Sequence, residues 1–409
     1  MKRILAFIVL MILVDVVGAT SLVAQDLAIR NVRVIVGNGN VIAQGSIVAR
    51  SGKLVSVAAG PPNAPGVPVI DAHGMTAVPG FIDAHHHLMG RNPDQWLKTE
   101  AVPRMQEFLD AGYTTVLAGL GPVPGVLQLK QEIDSGQLKG PRILASGGVS
   151  LSSLTPDQAR AEVRRLAGLG IHFIGEEGLS NVPKPGEIEV LKAIVDESKK
   201  IGGVYVMVHA VSIPAMLASV DAGAPLLVHT PHFGWVSDED AKRVSDAGVK
   251  ELSTIAFGAP VFGVFADDNV PRFRDGRPWP ASIPAGEGQG REAGYKAVNA
   301  RTLWDAGVVY GFGTDTDYLP KAGLSHELRS LNLMFSSQDI IKLMGPNTAA
   351  FIQMSDQVGT LEVGKYADFV IVDGDPLKGY WNLLNTRLVV KGGVIVSDQR
   401  KSPAAAQDY

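Results

Sequence analysis

Two histidines one residue apart, His85 and His87, close the apolar run Val78-Pro-Gly-Phe-Ile-Asp-Ala-His-His-His-Leu88. Side chains alternate along a strand, so His85 and His87 project to one side and His86 to the other. Two imidazoles so arranged can hold a divalent ion, and imidazole suits zinc. Asp83 places a carboxylate at the same strand tip. An isolated H-x-H is often only a packed or solvated pair, but ligand types recur at the ends of other apolar runs. Glu176 and Glu177 follow run 171–174, His209 follows 204–208, His229 follows 225–228, and Asp315 follows 308–312 in Gly-Thr-Asp. His209 and His229 are one αβ unit apart, which predicts equivalent heights on neighbouring strands. Several strands delivering ligands to one rim is the pattern of a metal centre.

The elements that must position these residues alternate. Helical patterns at 105–111, 156–169, 186–201, 213–222, 238–247 and 293–306 each lead into a short apolar run, at 114–117, 171–174, 204–208, 225–228, 252–257 and 308–312. Repeated units of this kind predict an α/β fold, a (β/α)8 TIM-like barrel whose chemistry sits at the carboxyl ends of the strands. The two chain ends read as β instead: 27–57 with breaks at Gly37-Asn-Gly-Asn40 and Ser51-Gly52, then 368–372, 388–390 and 394–396. Neither piece has enough strands to bury a core alone, so the two ends together predict one small β-sandwich. The expected layout is a signal peptide (1–24), the first part of the sandwich (25–78), the barrel (79–352), the rest of the sandwich (353–400) and a tail (401–409). Residues 258–290 break the rhythm; rich in Pro and Gly, with Arg272, Arg274, Arg277 and Trp279, they read as a lid.

Composition narrows the chemistry. The 409 residues include no cysteine, which excludes disulfides, thiolate ligands and a cysteine nucleophile, so any metal must be held by His and carboxylates. A net charge of −4 offers no broad basic surface for nucleic acid. Lys2 and Arg3 precede an apolar run from Ile4 to Val17, broken by Asp15 and followed by Val-Gly-Ala19 and Leu-Val-Ala24. This reads as an export signal, and the run is short for a membrane span. The expectation is a periplasmic or secreted protein, signal removed, with no stable membrane anchor, a small-molecule substrate, and a homo-oligomer allowed.

With these residues in place, the chain resembles the amidohydrolase superfamily of metal-dependent hydrolases, in particular its enamidase and imidazolonepropionase-like branch. Pro79-Gly-Phe-Ile-Asp-Ala-His-His-His87 is similar to the family's first-strand metal motif, Gly112-Tyr-Thr-Thr-Val116 to its second strand, Val208-His-Ala210 and Val228-His229 to its fifth and sixth, and Gly313-Thr-Asp315 to its eighth. Gly359-Thr-Leu-Glu-Val-Gly-Lys-Tyr-Ala-Asp-Phe369 resembles its return to the sandwich. Many members bridge two metals with a carbamylated lysine on the fourth strand. This chain has Gly175-Glu-Glu-Gly-Leu-Ser180 there, and the resemblance to enamidase-like members implies that Glu176 is the bridge.

The resemblance then implies two divalent ions, zinc, iron or manganese, with His85 and His87 on one, His209 and His229 on the other, and Glu176 between them. Bound metal lowers the pKa of water to about 7, which makes hydroxide available near neutral pH. Asp315 is the expected catalytic acid–base, with Asp317 as alternate. The reaction implied is hydrolysis of a C–N bond in a cyclic or peptide-like amide. An aminohydrolase acting on a heterocycle and a non-catalytic periplasmic binding protein are the competing readings. Of the other residues, His232 is expected to orient substrate or simply be exposed. Glu177 is expected to face away from Glu176, His86 to pack, and His172 and His73 to be structural, the former buried. His326 and Glu327 are expected at the start of the last helix.

Overall fold

The computed structural model describes residues 26–90, 92–256, 289–317 and 319–401, excluding the side chains of 289–291 and 293. The expected export signal and most of the expected lid, including Arg272, Arg274, Arg277 and Trp279, lie outside the described residues.

Both chain ends build one mixed sheet. Strands β1 (Leu27–Ile35), β2 (Val41–Arg50), β3 (Lys53–Ala59), β4 (Val69–Asp71) and β5 (Thr76–Pro79) come from the amino-terminal side. Strands β15 (Phe369–Val372), β16 (Thr386–Lys391) and β17 (Val394–Asp398) come from the carboxyl-terminal side. The order is β17-β16-β15-β5-β1-β2-β3, with β4 beside β1. The join is the antiparallel pairing of β5 with β15, which places Val78 opposite Val370. Alternating apolar residues from both ends, among them Ile29, Val34, Ile47, Phe369 and Leu388, bury one common core.

Only Gly80 separates β5 from the first barrel strand, β6 (Phe81–His86). The barrel continues through β7 (Tyr113–Ala118), β8 (Arg142–Leu144) with its extension β9 (Ser146–Gly147), β10 (Phe173–Gly178), β11 (Tyr205–His209), β12 (Leu226–Val228), β13 (Lys250–Leu252) and β14 (Val309–Gly311). All neighbouring pairs are parallel. The seam closes by backbone bonds just past β14: Ala84 N–H to Phe312 O (3.1 Å), Asp315 N–H to His85 O (2.7 Å) and His87 N–H to Thr316 O (2.9 Å). Ile82, Ala84, Leu117, Phe173, Met207, Leu226, Val228 and Leu252 fill the interior, joined by Ala349 and Phe351 from the helix Thr348–Phe351. The outward faces of the strands pack on the helices between them, which is the layer logic of such barrels.

Most expected elements appear within two residues of their positions. Two departures matter. The run 252–257 is not a strand: β13 ends at Leu252, and the ligand-bearing rim begins there. Strand β8/β9 was absent from the expected series because it is short, interrupted at Ala145 and partly polar. Among the described residues, no helix is long and apolar enough to cross a membrane.

Candidate metal centre

Simple alternation does not deliver the ligands; two bulges do. On β6, Ile82 and Ala84 face the barrel interior, so strict parity would turn His85 outward. The register with β7 slips between Asp83 and His86, and His85 turns inward with His87, their ring centroids 5.2 Å apart. His86 faces the other way, onto the Phe108 ring at 4.8 Å. Asp83 is a strut rather than a ligand. Its carboxylate accepts from His85 N–H (3.1 Å), Thr314 N–H (3.1 Å) and Thr314 Oγ1–H (2.6 Å). Gly119 leaves room for the imidazoles, because a Cβ there would lie 3.1 Å from both the His85 and His87 rings.

The second bulge is on β10. Phe173 points into the interior, and the register with β11 slips between Ile174 and Glu177. Gly175 makes the slip possible: its φ of +111° is left-handed, and a Cβ would lie 2.2 Å from Met207 O. The slip puts Glu176 among the imidazoles. Glu177 reaches sideways to accept the Val149 N–H. The expected divergence of the two glutamates is present, but a bulge rather than plain alternation produces it.

Glu176 lies at the centre. Its Oε2 is 3.0 Å from His85 Nε2 and 4.0 Å from His87 Nε2. Its Oε1 is 2.7 Å from His209 Nδ1 and 2.6 Å from His229 Nε2. One carboxylate thus faces one imidazole pair with each oxygen. Asp315 closes the far side, with Oδ1 3.2 Å from His85 Nε2 and 3.0 Å from His87 Nε2, and Oδ2 3.4 Å from His229 Nδ1. His229, Thr254 and Asp315, at φ of +72°, +40° and +53°, are non-glycine residues in left-handed conformations. Such strain clusters where the surroundings impose it, typically at functional sites.

The donor set fits divalent ions. His85, His87 and Asp315, and likewise His85, Glu176 and His229, each offer ligand atoms within 4.8 Å of one another. Ligand atoms sharing a tetrahedral zinc stand roughly 3.3 Å apart, close to the separations here. The His85 side chain is fully buried, its Nε2 3.0 Å from Glu176 Oε2 and 3.2 Å from Asp315 Oδ1. A buried imidazole nitrogen set between two carboxylates is a donor set that a cation can share. His87 Nδ1 lies 3.3 Å from Leu120 O, so its N–H can face the carbonyl and leave Nε2 for the centre.

Charge couples the imidazoles to the carboxylates. Burial alone would raise Glu176 and Asp315, but the surrounding imidazoles hold both carboxyls well below their ordinary range. Burial would lower His85, and Glu176 with Asp315 overcomes it and holds the imidazole well above its usual range. His229 goes the other way, pushed by burial to about 4 despite its carboxylate neighbours.

Other sequence expectations divide. Asp317 is exposed and belongs to neither group of converging ligand atoms. His232 lies on the same rim, its Nδ1 3.9 Å from Glu292 Oε1, and burial followed by the charge of Lys296 lowers it to about 4. His172 is exposed rather than buried; it sits before β10 begins, its Nδ1 3.1 Å from Gly203 O. His73 occupies an exposed turn at φ +50°. His326 and Glu327 lie in the middle of the helix Pro320–Leu331, not at its start, because Pro320 begins that helix six residues before His326. Glu327 is fully buried and accepts the backbone N–H groups of Ile255 (3.0 Å) and Ala256 (2.7 Å).

Known proteins resemble this chain in sequence and fold. The Amidohydrolase family model matches residues 76–242 and 291–397. An imidazolonepropionase from Caldanaerobacter subterraneus subsp. tengcongensis is 24% identical over 414 residues, 86% of this chain and 90% of that one. A crystal structure of an amidohydrolase superposes with a TM-score of 0.74 at 24% identity, covering 91% of this chain and 99% of that one. A Xaa-Pro dipeptidase crystallised with methionine in its active site gives 0.73 at 22%, with 91% and 99% covered. With the barrel, the added β domain and the cluster of candidate His, Asp and Glu ligands in view, the chain belongs to the amidohydrolase family, as a metal-dependent hydrolase acting on carbon–nitrogen bonds other than ordinary peptide bonds.

Proposed function

We propose that this protein hydrolyses the C–N bond of a cyclic amide or peptide-like amide at a two-zinc centre, with His85 and His87 on one ion, His209 and His229 on the other, and Glu176 between. The observation that carries the two-ion reading is the division of Glu176: one oxygen faces each imidazole pair. Bound there, divalent ions would polarise the substrate carbonyl and bring the pKa of water to about 7.

The chain's own residues do the rest. Asp315, whose carboxylate is held ionised, accepts the proton of the attacking water and returns it to the leaving nitrogen. His232, pushed down to about 4, stays neutral near pH 7 and presents a neutral imidazole to substrate at the rim. Leu120, Val182, Phe233, Trp235 and Leu319 are exposed on loops that follow β7, β10, β12 and β14, at the ligand-bearing end of the barrel. That apolar collar favours a substrate with an apolar or aromatic flank, since polar flanks would lose hydration there without compensation. The name of the imidazolonepropionase relative points to a cyclic amide, and that of the dipeptidase to an amide at a proline nitrogen.

The test pairs elemental analysis of purified protein with a panel of lactams, N-acyl amino acids, Xaa-Pro dipeptides and heterocyclic amines. Two zinc equivalents, amide turnover abolished by chelation and restored by zinc, are expected. Turnover indifferent to chelation defeats the proposal, and ammonia release from heterocycles alone moves it to the aminohydrolase reading. The amino-terminal pattern supports export. Amino-terminal sequencing of the protein from the periplasmic fraction should then begin beyond residue 19.

A further inference from the structure

Behind His229 lies a set of contacts that the proposed reaction does not use. His229 Nε2 faces Glu176, and its other ring nitrogen, Nδ1, has two polar neighbours: Thr254 Oγ1 at 3.0 Å and Asp315 Oδ2 at 3.4 Å. Thr254 is fully buried in the segment just past β13, at φ +40°. A β-branched residue takes that conformation only where its surroundings over-determine it.

The surroundings do so from three sides. Thr254 N–H donates to Gly313 O (3.1 Å). Its carbonyl accepts from Lys296 Nζ (3.0 Å). The next two N–H groups, of Ile255 and Ala256, donate to the carboxyl of Glu327 (3.0 and 2.7 Å). Lys296 is buried, and its charge is matched by Glu292 at 2.7 Å. A buried ammonium from the helix Gln289–Asp305 and a buried carboxyl from the helix Pro320–Leu331 therefore converge on one short backbone segment. What that segment delivers to the rim is a single hydroxyl, placed at His229.

A metal-binding imidazole needs its second nitrogen fixed, because that hydrogen bond sets the tautomer and ring orientation. From this geometry we infer that Thr254 is a positioning residue for His229, keyed in place by Lys296 and Glu327. Its hydroxyl takes the Nδ1–H, leaves the Nε2 lone pair toward Glu176, and keeps that N–H off Asp315. Without it the same N–H turns to the Asp315 carboxylate, which both tilts the ligand and engages the acid–base. The inference rests on the metal reading above and adds residues that reading does not contain.

Zinc titration of the metal-free full-length protein tests it. Loss of such an outer partner typically weakens metal binding 10–100-fold. Thr254→Val should therefore bind zinc 10–100-fold more weakly, with kcat reduced and KM little changed, and the cobalt(II)-substituted protein should show a shifted visible band. Thr254→Ser should recover the affinity to within about threefold. Lys296→Met should act in the same direction as Thr254→Val, less strongly. Folded Thr254→Val with wild-type zinc affinity and cobalt spectrum overturns the inference while leaving the metal centre standing. Wild-type protein that takes up no zinc overturns both. Should the variants fail to fold, 15N-histidine NMR of the wild-type zinc protein decides: His229 protonated at Nδ1 supports the inference, and protonation at Nε2 refutes it.

Discussion

Two sets of buried carboxyls show how differently one molecule treats the same group. Glu176 and Asp315, at 8% and 5% exposure, sit inside the barrel rim ringed by imidazoles, and both stay ionised far below the ordinary range. Glu251, on the opposite face of β13, is fully buried. Among the described residues neither of its oxygens has a hydrogen-bond partner, and burial pushes it well above that range. Burial raises all three; only the neighbours decide the sign of the result. Glu177 brings the contrast down to adjacent residues. Burial, opposed by the Val149 N–H and assisted by the charge of Glu176, moves it up to about 8. Negative charge is kept in this interior where cationic partners converge, and neutralised elsewhere.

Substitutions can break or sharpen that contrast. The largest effect is expected for Glu176→Gln, which removes the charge shared by both imidazole pairs. Metal content should fall by at least one equivalent, and kcat/KM by well over 100-fold, since even outer-partner losses cost about 10–100-fold. Asp315→Asn should keep its metal while kcat falls roughly 10²–10⁴-fold, the usual range for a lost acid–base. Retained activity in that variant would remove Asp315 from the mechanism.

Glu251 tests the other side. The unfolded carboxyl ionises near 4.5, while the folded one holds its proton to a higher pH. Between those values the native state binds more protons, so stability is fully present below about 4.5 and falls as pH rises through the raised folded value. Urea unfolding of Glu251→Gln should lack that slope. Glu251→Leu should gain about 1–3 kcal/mol near neutrality by removing an unsatisfied polar group, with turnover unchanged. The smallest effect is expected for Glu177→Gln, which should leave metal content at the wild-type value. An equal loss of metal in the Glu177 and Glu176 variants would erase the distinction drawn here.

How much of this was legible in the sequence follows from the range of each signal. Strand runs ending in His85, His209, His229 and Asp315 are local patterns, and the barrel and the added β domain from both chain ends follow from their repetition and from the β-rich termini; the expected sandwich is one mixed sheet instead. The choice of Glu176 over Glu177 rested on resemblance. Its physical cause, a bulge that needs Gly175 because a Cβ would strike Met207 O, is visible only once β10 and β11 are side by side. Strand β8/β9 was lost because Arg142 and Ser146 interrupt its apolar signal. The apolar pattern begins two residues before β10 and so takes in His172, and nothing local marks Pro320 as the start of the helix that carries Glu327. Thr254 and Lys296 carry no local signal at all. Glu292 and Lys296 are spaced like an ordinary solvated helix pair, and only the fold turns that pair inward.

The barrel seam has a further consequence for how the protein comes into being. His87 and Asp315, 228 residues apart, meet only when the last strand docks on the first, through the backbone bonds of His85 and His87 with residues 315 and 316. A nascent chain stalled before that point carries the imidazoles and Glu176 but not Asp315, the proposed acid–base. Turnover is thus tied to completion of the polypeptide, and a truncated product would lack the group proposed to move the proton.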